Sequence, residues 1–311
     1  MIRAVIDVGT NSVKLLIGEV LGHQVRPLLE DSNQSRLGSG FYESHRLSHA
    51  AIARTVKAIA GFAAEATRQG VSLIRVIATS AARDAENGEE LISAVRAACG
   101  LPVEIISGEQ EADWVFFGVA TDPALSDHAL LIVDAGGGST EFVLGEGRHA
   151  HFRRSFRLGT VRLLERLRPA DPPTAEDWAR CQETLHHSFA HEIGPAIQPA
   201  LDALEHRTIQ LVGTSGTTSI LACLAQRLTT FDRVRIEGAR LTCTHVRRER
   251  ERLWGLPLEE RKALPGLPPE RADVILTGVA IYEAVMEGFH CADLRVSTRG
   301  LRFAALMTAP G

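Results

Sequence analysis

A short motif occurs twice in this chain, and this repeat constrains the fold more than any other feature of the sequence. Residues 6–19, IDVGTNSVKLLIGE, align without a gap with residues 133–146, VDAGGGSTEFVLGE. In each copy an apolar run carries an aspartate near its end, a turn of Gly, Ser, Thr or Asn follows, and a second apolar run begins, which is a β-hairpin pattern. The repeat predicts a chain built from two related halves, each opening with such a hairpin.

The remaining sequence alternates predicted strands with predicted helices. Residues 71–80, VSLIRVIATS, and residues 102–107, PVEIIS, are β-rich runs. Residues 48–70 begin with a serine, carry apolar residues at helical spacing and end at a glycine, which predicts a helix. These patterns predict the α/β class.

The length of the chain predicts two domains. With 311 residues, of which 45% are hydrophobic, the chain can bury a sizeable core in each half. We expect an N-terminal domain at residues 1–124 and a C-terminal domain at residues 125–311. The last helix, near residues 299–309, is a candidate to return to the first domain.

Composition and charge exclude several functional classes. The formal net charge of −4 and the low aromatic content argue against a nucleic-acid-binding protein. No apolar run approaches the ~20 residues of a membrane span, and an acid within the first residues does not fit a secretion signal. The five cysteines are widely spaced, which is typical of reduced thiols. We expect a cytoplasmic, soluble protein with no nucleic-acid or membrane partner.

Three glycine-containing turns are candidates for phosphate binding. Backbone N–H groups in such turns can converge on an anion, and glycine allows an approach that a Cβ would block. Two of the turns lie in the repeated hairpins, and the third is the GTSGTT sequence that starts at residue 213. An ordinary structural turn is the alternative at each place. The candidate residues are Gly9, Thr10, Asn11, Ser12, Gly136, Gly137, Gly138, Ser139, Thr140, Gly213, Thr214, Ser215 and Gly216.

Acidic residues lie beside the first two turns. Carboxylates would repel bound phosphate, so their presence predicts a cation, and Asp and Glu with phosphate oxygens and water suit magnesium. Asp7, Asp134 and Glu141 are the candidate residues that hold Mg²⁺ or position water, with Mn²⁺ as a second possible ion. The alternatives are a turn-capping role for Asp7 and an exposed position for Glu141.

Eight short motifs extend this pattern over nearly the whole chain. They are VIDVGTNSVKLLI from Val5, ATSAARDAEN from Ala78, ISGEQEA from Ile106, VDAGGGSTEF from Val133, SFRLGTVRL from Ser155, VGTSGTT from Val212, LPGLPPERADVILTG from Leu264 and VSTRGLR from Val296. Together and in this order they resemble the exopolyphosphatase / guanosine pentaphosphate phosphohydrolase (Ppx/GppA) family.

The resemblance implies both a fold and an activity. The fold is the two-domain fold of actin, sugar kinases and heat-shock chaperone ATPases, with duplicated ribonuclease-H-like halves and an active-site cleft between them. The activity is magnesium-dependent release of terminal phosphate from inorganic polyphosphate or from guanosine pentaphosphate, commonly by a homodimer. Longer relatives append a helical domain, which we expect to be absent here.

The resemblance also assigns a catalytic glutamate. The family motif Ser-Gly-x-Glu-Glu-Ala is written here as residues 107–112, SGEQEA, so that Glu111 corresponds to the catalytic residue and Gln110 replaces the first glutamate of the pair. Ser107 and Gln110 have capping-box spacing, which predicts a helix start with Glu111 in its first turn. Glu109 is the fallback base, and a role limited to the helix dipole is the alternative for Glu111.

Phosphoryl transfer also needs positive charge near the substrate. The resemblance implies that Arg83 contacts phosphate. A basic run is either a path for a polyanion or a solvated face, and its members are Arg148, Arg153, Arg154, Arg157, Arg162, Arg166 and Arg168. His187 and His191 have helical spacing but lack a third ligand by motif, so we do not expect a zinc site there.

Three functions compete at this point. The first is an exopolyphosphatase, with guanosine pentaphosphate as the alternative substrate of the same chemistry. The second is a sugar or acetate kinase of the same superfold, and the third is a non-catalytic sensor of a guanosine alarmone. The basic run and the lack of an evident aromatic pocket for guanine favour polyphosphate. A sensor is disfavoured because it has no need of the carboxylates Asp7, Asp134, Glu141 and Glu111 together.

Overall fold

The computed structural model describes residues 1–22, 24–125 and 128–308. In these residues the strands form two mixed sheets, one of five strands and one of six. The first sheet contains β1 Ile2–Val8, β2 Val13–Leu21, β3 Gln24–Asn33, β4 Leu73–Ala78 and β5 Val103–Ile105. The second contains β6 Ala129–Ala135, β7 Thr140–Glu146, β8 His149–Phe156, β9 Ile209–Gly213, β10 Arg240–Thr242 and β11 Asp293–Val296.

Helices connect the strands in the part of the chain that the structure describes. The helices between strands of the first sheet and directly after it are α1 Phe41–Ser44, α2 His49–Arg68, α3 Ser80–Asp84, α4 Gly88–Cys99 and α5 Gly108–Val119. Those of the second half are α6 Thr160–Leu167, α7 Ala175–Ser188, α8 Gly194–Asp202, α9 Gly216–Ala225, α10 Arg233–Ile236, α11 Cys243–Trp254, α12 Leu258–Lys262, α13 Ile275–Gly288 and α14 Leu301–Met307. A π-helical turn, Phe189–Ile193, joins α7 to α8, and 3₁₀ turns lie at Pro123–Leu125 and Pro269–Arg271.

The two sheets share one topology. The first has the order β3-β2-β1-β4-β5, in which β1, β2 and β3 are antiparallel neighbours and β4 and β5 run parallel to β1. The second repeats this arrangement with β8, β7, β6, β9 and β11, and adds β10 as an antiparallel edge strand. The α/β class and the duplication predicted from the repeat are therefore confirmed at the level of strand pairing.

The described chain divides into two compact units. The first unit runs from Met1 to Thr121 and includes the residues from Arg299 onward, and the second unit is Asp122–Thr298. Helix α14 packs against β1, β2 and α5 of the first unit. Arg302 Nη1 donates to Leu15 O at 2.9 Å and so ties α14 to β2. The division lies close to the sequence-based boundary between residues 124 and 125.

Each unit has its own hydrophobic core. In the first, β1 and β2 pack against α2, whose apolar residues Ile52, Ile59 and Phe62 follow the helical spacing seen in the sequence. Ser48 caps this helix by accepting a hydrogen bond from Ala51 N at 3.2 Å. In the second, β6 and β7 pack with α13, which is buried over most of its length. These cores fix the strand ends at which the candidate site residues lie.

Within the described ranges, none of the helices combines the length and the apolar character that a membrane crossing requires. All five cysteines are free thiols, as the sequence predicts. Burial raises the pKa of the Cys181 thiol to about 12, so this cysteine stays protonated and packs as a core residue.

Candidate active site

The first turn joins β1 to β2 and is closed by a hydrogen bond from Gly9 N to Ser12 O at 3.0 Å. Behind it, Thr10 O and Asn11 O accept hydrogen bonds from backbone amides of residues 36–38, at 2.8 and 2.9 Å. The C=O and N–H groups of a trans peptide unit point in opposite directions. The amides of Asn11 and Ser12 therefore point away from residues 36–38, as a turn that binds an anion requires.

Thr10 carries an orphaned hydroxyl inside this turn. The residue is 3% exposed, and its Oγ1 has no hydrogen-bond partner among the described residues. An unsatisfied buried polar group typically costs ~1–3 kcal/mol. A bound phosphate would supply the missing acceptor, so the local structure fits an anion at this turn.

The second turn joins β6 to β7 in the same way. Gly136 N donates to Ser139 O at 2.9 Å, which matches the closing bond of the first turn. Gly136 O and Gly137 O accept amide hydrogen bonds from the start of α6, each at 2.9 Å, and Arg162 Nε donates to Gly138 O at 2.7 Å. By the same peptide geometry, the amides of Gly137, Gly138 and Ser139 point away from α6. In both repeated turns the backbone amides thus point to one side, and the carbonyls accept hydrogen bonds from supporting residues on the other side.

A second repeat supports the two turns from behind, and sequence reasoning missed it. Arg36-Leu37-Gly38 follows β3, and Arg157-Leu158-Gly159 follows β8, so both RLG segments return the chain to the back of a turn. A Cβ on Gly159 would lie 2.5 Å from Gly137 O, and a Cβ on Gly38 would lie 2.3 Å from Thr10 Cγ2. Glycine is needed at both places for close approach. The tripeptide RLG was the sequence signal that could have revealed this contact.

Two acidic residues of the second unit lie opposite each other. Asp134 on β6 pairs in register with Glu141 on β7, so both side chains project from the same face of the sheet. Glu141 is 2% exposed, and its Oε1 accepts a hydrogen bond from Ser155 Oγ at 2.7 Å. The alternative of an exposed Glu141 is therefore wrong.

The first unit supplies the third candidate carboxylate. Asp7 lies on β1 opposite Lys14 of β2. Burial raises the pKa of Asp7, and the positive charges of Lys14 and Arg302 oppose this rise. Keeping this carboxylate ionised therefore costs folding free energy, and a bound cation would reduce that cost.

Two of these carboxylates suit a magnesium ion. Within residues 1–22, 24–125 and 128–308, no group of three or more His, Cys, Asp or Glu side chains is placed to hold a metal ion. Magnesium commonly binds through one or two carboxylates and completes its shell with water and substrate phosphates. The pair formed by Asp134 and Glu141 fits that mode of binding.

The structure brings Glu111 and Arg83 together. Ser107 caps α5 by accepting a hydrogen bond from Gln110 N at 3.1 Å, so the helix begins where the sequence predicts. Glu111 lies in the first turn of α5 and is 8% exposed. Arg83 Nη1 donates to Glu111 Oε2 at 2.9 Å and to Ile106 O at 3.1 Å. The carboxylate is thus held in place by a charge-assisted bond.

The third turn differs from the first two. Thr214 N donates to Val133 O at 3.0 Å, and Ser215 N donates to Thr218 Oγ1, also at 3.0 Å. Ser215 also caps α9, since its Oγ accepts from the amides of Thr217 and Thr218. The amides of Thr214 and Ser215 are therefore bonded internally. Phosphate binding by residues 213–216 remains a prediction.

Two residues near this turn were not singled out from the sequence. The buried hydroxyl of Tyr282 lies 3.0 Å from Val133 O and 3.1 Å from Ser215 Oγ, and so links β6 to the start of α9. Burial raises the pKa of Tyr282, and the charge of Asp134 adds to the rise. Arg271 lies against Gly216, where a Cβ would meet its Nη2 at 2.3 Å. These contacts join distant parts of the chain, and no local pattern signals them.

The basic run is not one uniform surface. Arg162 lies at the start of α6 and bonds to the second turn, as described above. The other members are exposed, and Arg154 stacks over the ring of Phe156 at 5.0 Å on the edge strand β8. One arginine of the run therefore supports the candidate site, and the polyanion path of the others remains a prediction.

Known proteins match this chain over almost its full length. Residues 16–308 match the model of the Ppx/GppA phosphatase family. The chain is 34% identical over 295 residues to exopolyphosphatase 2 of Mycobacterium tuberculosis. This alignment covers 90% of this chain and 88% of that protein. It also resembles the crystal structure of the Aquifex aeolicus Ppx/GppA family member, with 30% identity, a TM-score of 0.78 and coverage of 99% and 96% of the two chains. An exopolyphosphatase from Cytophaga hutchinsonii gives 27% identity, a TM-score of 0.85 and coverage of 98% and 96%.

These similarities confirm the resemblance drawn from the sequence motifs. The structural neighbours have the two-domain actin-like ATPase fold, so the predicted fold is confirmed as well. The family acts on phosphoanhydride bonds, which places the chain among the phosphohydrolases. The chain belongs to the Ppx/GppA phosphatase family.

Proposed function

We propose that this protein is a magnesium-dependent exopolyphosphatase, which hydrolyses the terminal phosphoanhydride bond of inorganic polyphosphate. The duplicated turn carries the proposal, because Gly9 N to Ser12 O at 3.0 Å and Gly136 N to Ser139 O at 2.9 Å close two equivalent turns. Each turn directs backbone amides to one side and has an aspartate on the strand before it. In a member of a phosphatase family, this combination suits a charged phosphate chain bound together with a cation.

Glu111 is the proposed general base. Its carboxylate accepts a proton from water as the water oxygen bonds to the terminal phosphorus and the bridging P–O bond breaks. The electron pair of that bond leaves with the shortened chain, and the products are phosphate and polyphosphate one unit shorter. Arg83, which donates to Glu111 at 2.9 Å, is the proposed phosphate contact, so an arriving phosphate competes for the same guanidinium.

Asp7, Asp134 and Glu141 are the proposed residues that hold Mg²⁺, or Mn²⁺, and position water. When bound, the ion neutralises phosphate oxygens and so stabilises the charge that develops during transfer. Ser155 is a supporting residue in this scheme, because its hydroxyl fixes one oxygen of Glu141 at 2.7 Å.

We propose polyphosphate rather than guanosine pentaphosphate as the main substrate for two reasons. The Mycobacterium tuberculosis and Cytophaga hutchinsonii relatives are named exopolyphosphatases. The exposed arginines of the run from Arg148 to Arg168 also suit a long polyanion. Guanosine pentaphosphate is the alternative substrate, because it presents the same terminal phosphoanhydride. We further propose that the protein is cytoplasmic, which its free cysteines support. We also propose that it forms a homodimer, because members of the family commonly do.

The decisive experiment measures phosphate release from polyphosphate, from guanosine pentaphosphate, and from ATP with and without sugars. We expect release from polyphosphate with magnesium present, and a higher kcat/KM than with guanosine pentaphosphate. Transfer from ATP to a sugar would establish the kinase alternative. Binding of a guanosine nucleotide without any phosphate release would establish the sensor alternative, and either result would overturn the proposal.

A further inference from the structure

A groove in the first unit lies outside the candidate active site. It runs between the edge strand β3 and helix α2 and has a volume of about 710 Å³. Small-molecule sites typically measure ~300–1,000 Å³. The groove is therefore large enough for a metabolite of ordinary size.

The wall formed by α2 is open at Gly61. Arg54, Lys57 and Gly61 follow one another at helical spacing and share the face of α2 that lines the groove. A Cβ added at Gly61 would have no heavy atom within 4 Å, so no neighbour requires glycine there. Glycine inside a helix costs about 1 kcal/mol relative to alanine. Phe62, buried to 9% exposure, provides an apolar floor beside Gly61.

The charges of the groove suit one anionic group. Three acids line the groove: Glu65 forms an ion pair with Arg68, Glu30 pairs with Arg302 at 3.3 Å, and Asp31 accepts a hydrogen bond from Ser32 N at 2.7 Å. Arg54 and Lys57 carry positive charge on the open face of α2, and Arg54 Nε donates to Ser35 O at 3.1 Å. A long polyanion would be repelled by the carboxylates along the rim, whereas a single phosphate or carboxylate can reach the two cations.

The opposite wall carries an unsatisfied hydroxyl and leads to the first turn. Ser35 lines the groove and is 1% exposed, and its Oγ has no hydrogen-bond partner among the residues that the structure describes. Gln34, the next residue in the wall, accepts a hydrogen bond from Asn11 Nδ2 at 3.2 Å. A molecule in the groove would therefore touch the residue that supports the first turn.

We propose that this groove binds a small organic molecule with one phosphate or carboxylate group. The anionic group lies at Arg54 and Lys57, and the uncharged part of the molecule lies over Gly61 and Phe62. Three observations carry this assignment: the volume of the groove, the open space at Gly61, and the two cationic side chains on one face of α2.

Calorimetric titration of the full chain with four probes tests the site. The probes are adenosine 5′-monophosphate, glucose 6-phosphate, benzoate and inorganic phosphate, so that organic phosphates are separated from a monocarboxylate. We expect at least one of the three organic anions to bind with a Kd below about 1 mM, and inorganic phosphate to bind the groove about tenfold more weakly. Binding of none of the organic anions would overturn the proposal.

Two substitutions at one position locate the binding. Gly61→Leu places a side chain in the empty groove and is expected to raise the Kd of the bound probe at least about tenfold. Gly61→Ala is the matched control, which strengthens the helix, leaves most of the space and keeps the Kd within about twofold. Polyphosphate hydrolysis without probe should be equal in both variants, which shows that they are folded. A Kd that Gly61→Leu leaves unchanged would place the probe elsewhere and overturn the assignment.

A double substitution tests the anion contact separately. Arg54→Gln with Lys57→Gln removes both cations but leaves the volume of the groove, and is expected to raise the Kd of the same probe about tenfold or more. Both side chains are exposed on α2, so the variant should fold normally. An unchanged Kd would contradict the proposed position of the anionic group.

Discussion

Gly159→Ala is the substitution that tests most directly whether catalysis depends on the placement of the second turn. Gly159 has an extended backbone, with φ −151° and ψ 160°, which alanine adopts without strain. The added Cβ would nevertheless lie 2.5 Å from Gly137 O and from Gly138 C. Real Cβ atoms essentially never approach another heavy atom closer than 3.0 Å and rarely closer than 3.4 Å, so the turn and the start of α6 must separate by about 0.5–1 Å.

This displacement has a calculable effect on rate. Misplacement of a positioning group by about 1 Å can lower a rate by about 10²-fold, because phosphoryl transfer depends on alignment. Overpacking by one methyl group also costs roughly 1–3 kcal/mol of folding free energy. We therefore expect kcat for polyphosphate to fall about 10- to 100-fold while the protein remains folded at room temperature.

Two other glycines supply graded controls for the assay, which measures phosphate release at saturating polyphosphate together with the thermal midpoint. Gly38→Ala brings its Cβ within 2.3 Å of Thr10 Cγ2, a side-chain atom rather than a backbone atom, so a smaller displacement of the turn and a smaller loss of kcat are expected. Gly61→Ala meets nothing within 4 Å and should leave kcat unchanged. If Gly159→Ala turns over polyphosphate at the wild-type rate, the precise placement of the second turn does not matter for catalysis and the reasoning is refuted.

Other predictions concern charge. Glu111→Gln should lower kcat by about 10²- to 10⁴-fold and preserve or tighten polyphosphate binding, because the variant cannot accept a proton from water. Glu109 is exposed, and Glu109→Gln should keep kcat within a few-fold of the wild-type value. The opposite ranking of the two variants in a phosphate-release assay would make Glu109 the base. Arg83→Ala should weaken polyphosphate binding, measured by calorimetry, because it removes a positive charge, and unaltered affinity would exclude Arg83 as a phosphate contact. Excess chelator should abolish turnover, and full activity without free divalent ions would exclude the metal role of Asp134. Asp7→Asn should raise the free energy of unfolding in urea at pH 8, because burial raises the pKa of Asp7 above the ordinary value of about 4 and the charged form then opposes folding. This gain should shrink as the pH falls toward 4, where the wild-type carboxyl becomes protonated, and a loss of stability at pH 8 would contradict the burial argument.

The parts of the fold that depend on local pattern could be predicted from the sequence. The repeated hairpin predicted the antiparallel pairs β1–β2 and β6–β7, and the spacing of Ser107 and Gln110 predicted the start of α5, because hairpin turns and helix caps are set by neighbouring residues. Alternation along β7 left the exposure of Glu141 open. In the structure Glu141 is buried and bonds to Ser155 of β8 at 2.7 Å, which is a tertiary contact that alternation cannot show.

The parts that depend on distant residues could not be predicted in this way. The hydroxyl of Tyr282 reaches Val133 and Ser215 across the second unit, and the carboxylate of Glu111 meets Arg83 from another helix. Such contacts follow from the packing of whole elements, and a single sequence carries no periodic signal for them. The resemblance to a family supplied the pairing of functional roles for Glu111 and Arg83, whereas the hydrogen bond between them is a finding of the structure.

The two RLG segments show why the duplication extends beyond the turns themselves. A turn can present several amides on one side only if its carbonyls find donors on the other side, since buried carbonyls left unbonded would cost free energy. In the first unit residues 36–38 supply those donors, and in the second the start of α6 and Arg162 supply them. Each solution needs a glycine, Gly38 or Gly159, where the supporting segment touches the turn. The repeated element is therefore a turn together with its backing, and the orientation of the amides depends on both.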